Sequence, residues 1–71
     1  MSESVYKVIE VVGTSTKSWD DAARAAVERA AVSLRDLRIG EVVQQDLQIE
    51  NGKVTHYRTR VKVSFKYEDE K

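Results

Sequence analysis

Carboxylates that a hard divalent ion would accept are spread along this chain at Glu10, Asp20, Asp21, Glu41 and Asp46. Such ions are held by oxygen ligands, about six to eight for calcium, and none of these five residues falls in the spacing of a calcium-binding loop. One chain therefore offers no ready-made ion site. Around a rotation axis the balance changes, because one carboxylate per subunit is then repeated at a single point and the crowded like charges favour a bound cation. Asp46, Glu41 and Glu10 are the candidate ligands for a shared calcium-like site. The basic residues Arg58, Arg60, Lys62 and Lys66 recur at alternate positions of one segment. They could meet a phosphate, but Glu41 and Asp46 on a neighbouring strand are the expected partners, which makes salt bridging the plainer reading. His56 is the single histidine and there is no cysteine. With no second histidine or thiol beside it, His56 reads as a surface residue rather than a zinc ligand or a catalytic base. No cluster pairs a nucleophile with its base, and the chain is read as non-catalytic.

The elements that must position these groups belong to a chain of 71 residues, long enough for one domain. A domain of that size buries only about 60% of the surface its unfolded chain exposes, and without cysteine it has no disulfide to compensate. Oligomerisation is the expected remedy. Lysine plus arginine number 12 and aspartate plus glutamate number 12, so no basic excess points to nucleic acid. No apolar run approaches a membrane span, and Met1 is followed by Ser2, Glu3 and Ser4 rather than by a signal region, which makes a cytoplasmic protein the expectation.

Residues 5–12 are rich in β-branched side chains and read as a strand closed by a turn at Gly13. Tyr6, Val8 and Val12 fall on one face and Val5, Ile9 and Val11 on the other, the habit of a central or doubly covered strand. Thr14, Ser15 and Thr16 supply capping hydroxyls and Asp20 and Asp21 early negative charge, which predicts a helix over 16–34. Its stripe, from Trp19 through Ala22, Ala23, Ala26, Val27 and Ala30 to Leu34, is apolar but thin, so the core depends on strand valines and aromatics. Residues 38–50 read as a second strand with Ile39, Val43, Leu47 and Ile49 on one face and Val42 on the other. Asn51-Gly52 is the strongest short signal for a two-residue hairpin. Residues 53–67 then alternate, with Tyr57, Thr59, Val61, Val63, Phe65 and Tyr67 opposite His56 and the basic stripe. Glu68-Asp69-Glu70-Lys71 is a charged tail. The prediction is an α+β domain over 1–71 in the order β-α-β-β, an antiparallel three-stranded sheet wrapped around one helix. Two such long strands overshoot the helix, and neighbouring subunits are expected to cover the excess.

Gly13-Thr14-Ser15 after the opening Val5-Tyr6-Lys7-Val8-Ile9-Glu10-Val11-Val12, the alanine-rich helix, Ser33-Leu34-Arg35-Asp36-Leu37, Glu41-Val42 and the closing Val61-Lys62-Val63-Ser64-Phe65 together resemble the dodecins over essentially the whole chain. The resemblance implies twelve copies in a hollow sphere of cubic 23 symmetry, with no catalytic turnover. It also implies flavins such as riboflavin or FMN bound in pairs at subunit contacts, and in some members divalent ions such as magnesium or calcium. Where the usual flavin-binding pattern reads Leu-Asp-Trp-Phe-Glu-Val, this chain has Leu37-Arg38-Ile39-Gly40-Glu41-Val42. Ile39 thus stands in place of the tryptophan that stacks on the isoalloxazine ring and offers no planar π surface. Arg58 matches the glutamine that bonds the flavin edge, and a guanidinium has donors but no acceptor. Asp46 falls where bacterial members often carry an arginine suited to the FMN phosphate, and a carboxylate repels phosphate. The three altered positions Ile39, Asp46 and Arg58 make impaired flavin binding the expectation, and the leading reading is a non-catalytic shell that binds or sequesters a small ligand or a divalent ion such as calcium. The alternative is a flavin-storing dodecin with a rearranged pocket.

Overall fold

The computed structural model describes residues 4–66. It contains β1 (Tyr6–Ser15), α1 (Trp19–Ser33), β2 (Leu37–Glu50) and β3 (Lys53–Lys66). All pairings are antiparallel and the strand order is β1-β3-β2, so the fold is α+β with a single helix laid across one face of a three-stranded sheet. Tyr67 and the charged run 68–71 lie outside the described residues.

The core is small because the helix stripe is alanine. Ala26 packs with Val61 and Val63 of the central strand, with Ile9, Val11, Ala23, Val27 and Leu37 around them, while Ala22 is fully buried where α1 crosses Gly13 of β1. This inner face of β3 also carries Thr59, fully buried, whose hydroxyl donates to the Trp19 carbonyl at 3.0 Å. β1 is an edge strand rather than a central one. Its inner face (Ile9, Val11, Gly13, Ser15) is covered by α1, but on its outer face Tyr6, Val8 and Val12 stay 46–57% exposed. The strand with two apolar faces is thus covered once within the chain.

Gly13 does not end β1 but pairs with Thr59 in mid-strand. Its lack of a side chain has a packing cause: a Cβ there would sit 2.1 Å from the Ala22 carbonyl oxygen and 2.9 Å from the Ala26 Cβ. The strand accordingly runs on to Ser15, and the helix begins at Trp19 instead of near Thr16. Ser15 Oγ accepts from the Lys17 amide at 2.9 Å and donates to Asp21 Oδ2 at 2.8 Å, while Ser18 Oγ accepts from the Asp21 amide at 3.0 Å. Ser18 is therefore the N-cap, and Ser15 braces the turn before it. The helix leaves through Asp36 in left-handed conformation (φ 59°).

Asn51 (φ 53°) and Gly52 (φ 75°) form the two-residue turn between β2 and β3, as Asn-Gly predicts. Register slips between Leu37 and Ile39, Val42 and Gln44, and Gln48 and Ile49 interrupt the ladder that follows. Each slip shifts the alternation of faces. As a result Ile39, paired with Ser64, lies on the outer face, whereas Val42, paired with Val61, and Leu47, paired with Tyr57, lie on the helix side. The expectation that Ile39 and Leu47 share a face is overturned by the slip between Val42 and Gln44. The 14-residue strands run about 46 Å against about 22 Å for a 15-residue helix. The hairpin therefore projects well past its cover, and the Cα radius of gyration, 14.8 Å, exceeds the roughly 11 Å of a compact chain this long.

Candidate functional site

Ile39, Glu10, Glu41, Asp46 and Arg58 fall on the outer sheet face, the side away from α1, whereas Asp20 and Asp21 lie in the first turn of the helix. Three of the rows across the outer face carry these sheet residues. Val8, Ser64 and Ile39 form one, Glu10, Lys62 and Glu41 the next, and Thr14, Arg58 and Asp46 lie further toward the hairpin.

Asp46 and Arg58 are directly opposed in the ladder and close on each other as a two-pronged pair, Arg58 Nε donating to Asp46 Oδ1 at 2.7 Å and Nη2 to Oδ2 at 2.9 Å. The planar fork of arginine matches a carboxylate in this way where lysine could not. The hydrogen bond from Arg58 holds the Asp46 carboxyl below the usual carboxylate range, aided by the charges of Arg58 and Arg60 and opposed by partial desolvation. Reciprocally, Asp46 raises the Arg58 pKa. Beneath the pair, Trp19 at the first turn of α1 donates its indole Nε1–H to the Asp46 carbonyl at 3.0 Å and stands edge-on to Tyr57, ring centroids 5.1 Å apart. The tryptophan therefore has the packing role expected of it and also pins β2 at the position bearing the acid.

Of the basic stripe, Arg58 meets the anticipated Asp46, whereas Arg60 turns to Glu10 of β1 rather than to Glu41 or Asp46. Arg60 Nη1 lies 3.6 Å from Glu10 Oε1, and Lys62 sits in register between Glu10 and Glu41. His56 is half-buried rather than fully exposed; its Nδ1 lies 3.2 Å from Thr55 Oγ1, and no carboxylate or second histidine ligates with it.

The candidates do not converge within one chain. Ile39 is six β3 residues from the Asp46–Arg58 pair, about 20 Å along the strand. Glu41 is four such residues away, about 13 Å, and Glu10 and Glu41 are separated by the whole of β3. Among the described residues no three acidic, histidine or cysteine side chains gather in ion-binding geometry. A site using Ile39 together with Asp46 and Arg58, or an ion cage using Glu10 and Glu41, needs more than one copy.

Two features escape a residue-by-residue reading. One is the Trp19 bond to the Asp46 backbone, which depends on where α1 starts. The other is an open groove of about 360 Å³ between α1 and β2, floored by Ala23, Val27, Gly40, Val42 and Val61. No described helix is long and apolar enough to cross a membrane.

The family model of the dodecins matches residues 5–68. The calcium dodecin of Mycobacterium tuberculosis is 50% identical over 64 residues, 89% of each chain. Among solved structures, the dodecin of Streptomyces coelicolor superposes with a TM-score of 0.89 at 46% identity, covering 99% of this chain and all of that one. The crystal structure of the M. tuberculosis calcium dodecin, described as having a novel calcium-binding site, gives 0.81 at 45% identity over 96% and 97% of the two chains. This chain therefore belongs to the dodecin family.

Proposed function

We propose that the chain is one subunit of a homododecameric hollow shell that binds calcium and in which ordinary flavin binding is impaired. Dodecins are small binding proteins without catalytic turnover. The observation that carries the ligand choice is the closed Asp46–Arg58 fork: two positions of the family's flavin site are committed to each other. A flavin would have to break a charge-assisted pair and then stack on Ile39, which offers no ring. Half identity to a protein named calcium dodecin supports the ion.

Calcium needs several oxygens, and the described residues of one chain gather none into a cage, so the ion belongs where copies present the same carboxylate around an axis. Glu41 and Glu10 are the better donors of the three candidates. Asp46 has both oxygens occupied by Arg58 and must release it before it can ligate an ion.

Native mass spectrometry of gently purified protein tests the proposal. A twelvefold mass with calcium-sized adducts, lost in a Glu10→Gln/Glu41→Gln variant, is the expected result. Retained calcium in that variant would shift the site to other oxygens. Bound flavin, or stoichiometric quenching of added riboflavin, would replace the proposal with storage in a rearranged pocket.

A further inference from the structure

Besides the outer face of β1, two apolar features on the α1 side and at the hairpin end are left open by the subunit's own fold. The first is the groove between α1 and β2. Gly40 forms part of its floor, and nothing in the chain forbids a side chain there: a Cβ would meet Val27 at 3.5 Å and Val61 at 3.6 Å, ordinary contact distances. A glycine inside a strand without a backbone need for it marks a place where something else approaches. The second is the hairpin tip beyond the end of α1, where the paired Ile49 and Val54 are 61% and 50% exposed.

Charges frame both. Arg24 and Glu28 stand on the groove's helix rim, four residues apart and so about 6 Å from each other. Glu50 and Lys53 face each other across the strands at the tip, about 5 Å apart. Spacing and signs match when Glu50 is set against Arg24 and Lys53 against Glu28.

We infer that the hairpin tip of one copy inserts Ile49 and Val54 into the α1/β2 groove of the next, with Glu50 and Lys53 pairing to Arg24 and Glu28 at the rim. Tip and groove are different surfaces, so the contact is head-to-tail and closes into a ring when repeated about a threefold axis. It would cover apolar surface on both partners and hold the projecting hairpin. The inference rests on the proposed homo-oligomer and specifies one of its contacts.

Because the natural chain has no cysteine, a Val42→Cys/Val54→Cys variant is a clean test. Within one chain these positions are about 23 Å apart along the sheet, out of reach of a disulfide. Oxidation of the assembled double variant should link most chains to their neighbours, with either single variant linking few. An assembly of wild-type mass whose double variant links no more than the single ones overturns this contact while leaving the oligomer standing. A wild-type protein of single-chain mass overturns the oligomer and the contact together. If the cysteine variant fails to assemble, charge reversal decides. Arg24→Glu alone and Glu50→Lys alone should each raise the concentration for half-assembly about tenfold, and the two combined should recover most of the loss; no recovery overturns the inference.

Discussion

Arg58 grips both carboxylate oxygens of Asp46 across the β2–β3 ladder at 2.7 and 2.9 Å, while the Trp19 indole holds the carbonyl of the same aspartate from the opposite side of the sheet. One residue thus joins the outer face to the helix. Its depressed pKa has a definite consequence for acid stability. An aspartate titrating below its unfolded value of about 3.9 stabilises the fold above that pH and loses the contribution as pH falls through its folded pKa. Asp46→Asn should therefore melt below wild type at neutral pH, and the two melting curves should approach each other below about pH 4. A gap that stays constant with pH would mean that the ionised pair contributes nothing; both side chains are more than a third exposed, which keeps the effect modest.

Restoring flavin binding should take more than a ring at position 39. Ile39→Trp leaves the Asp46–Arg58 fork closed and should quench riboflavin fluorescence little more than wild type does. Adding Asp46→Arg and Arg58→Gln removes the fork, and the triple variant should bind at least about tenfold more tightly, equivalent to about 1.4 kcal/mol. Equal binding by the single and triple variants would remove the fork from the account of ligand choice.

The two strand glycines should respond unequally to the same substitution. Gly13→Ala drives a methyl into helix backbone at 2.1 Å, which cannot swing aside, and should cost at least about 1–3 kcal/mol in urea unfolding. Gly40→Ala meets only valine methyls at 3.5–3.9 Å and should leave unfolding nearly unchanged. Similar midpoints for the two variants would refute the close approach of β1 to α1.

Much of this fold can be read from residue types, and the point where reading stops is physical. The Asn51-Gly52 turn and the alternation of Thr59, Val61 and Val63 follow from local chemistry, and the register near the turn follows from its two-residue length. Carried on without interruption, that register would set Asp46 opposite Tyr57 and leave Arg58 facing Gln45. The bulge near Thr55 adds one residue to β3 and brings Arg58 to Asp46. Bulges depend on contacts distant in sequence, so the salt bridge could be anticipated as a pairing of types but not located. The start of α1 was similarly hidden, since four hydroxyl residues precede it and only the packing of Trp19 selects Ser18 as the cap.

Trp19 and Thr59 supply the last prediction, because their hydrogen bonds form one chain from β3 through the helix start to β2. Thr59 is fully buried and donates to the Trp19 carbonyl, and Trp19 donates to the Asp46 carbonyl. Thr59→Val keeps the shape but removes the hydroxyl donor, leaving the Trp19 carbonyl with its helical partner alone, which should cost about 1 kcal/mol; Trp19→Phe keeps an aromatic ring beside Tyr57 but loses the indole donor, also at about 1 kcal/mol. Trp19 is the sole tryptophan, so the emission spectrum of Thr59→Val reports directly on the indole. If Thr59 anchors the helix start, that emission should shift to longer wavelength at temperatures well below global unfolding. Unchanged emission up to the global transition would mean that the apolar contacts of Ala22 and Ala26 hold the helix start without the hydroxyl.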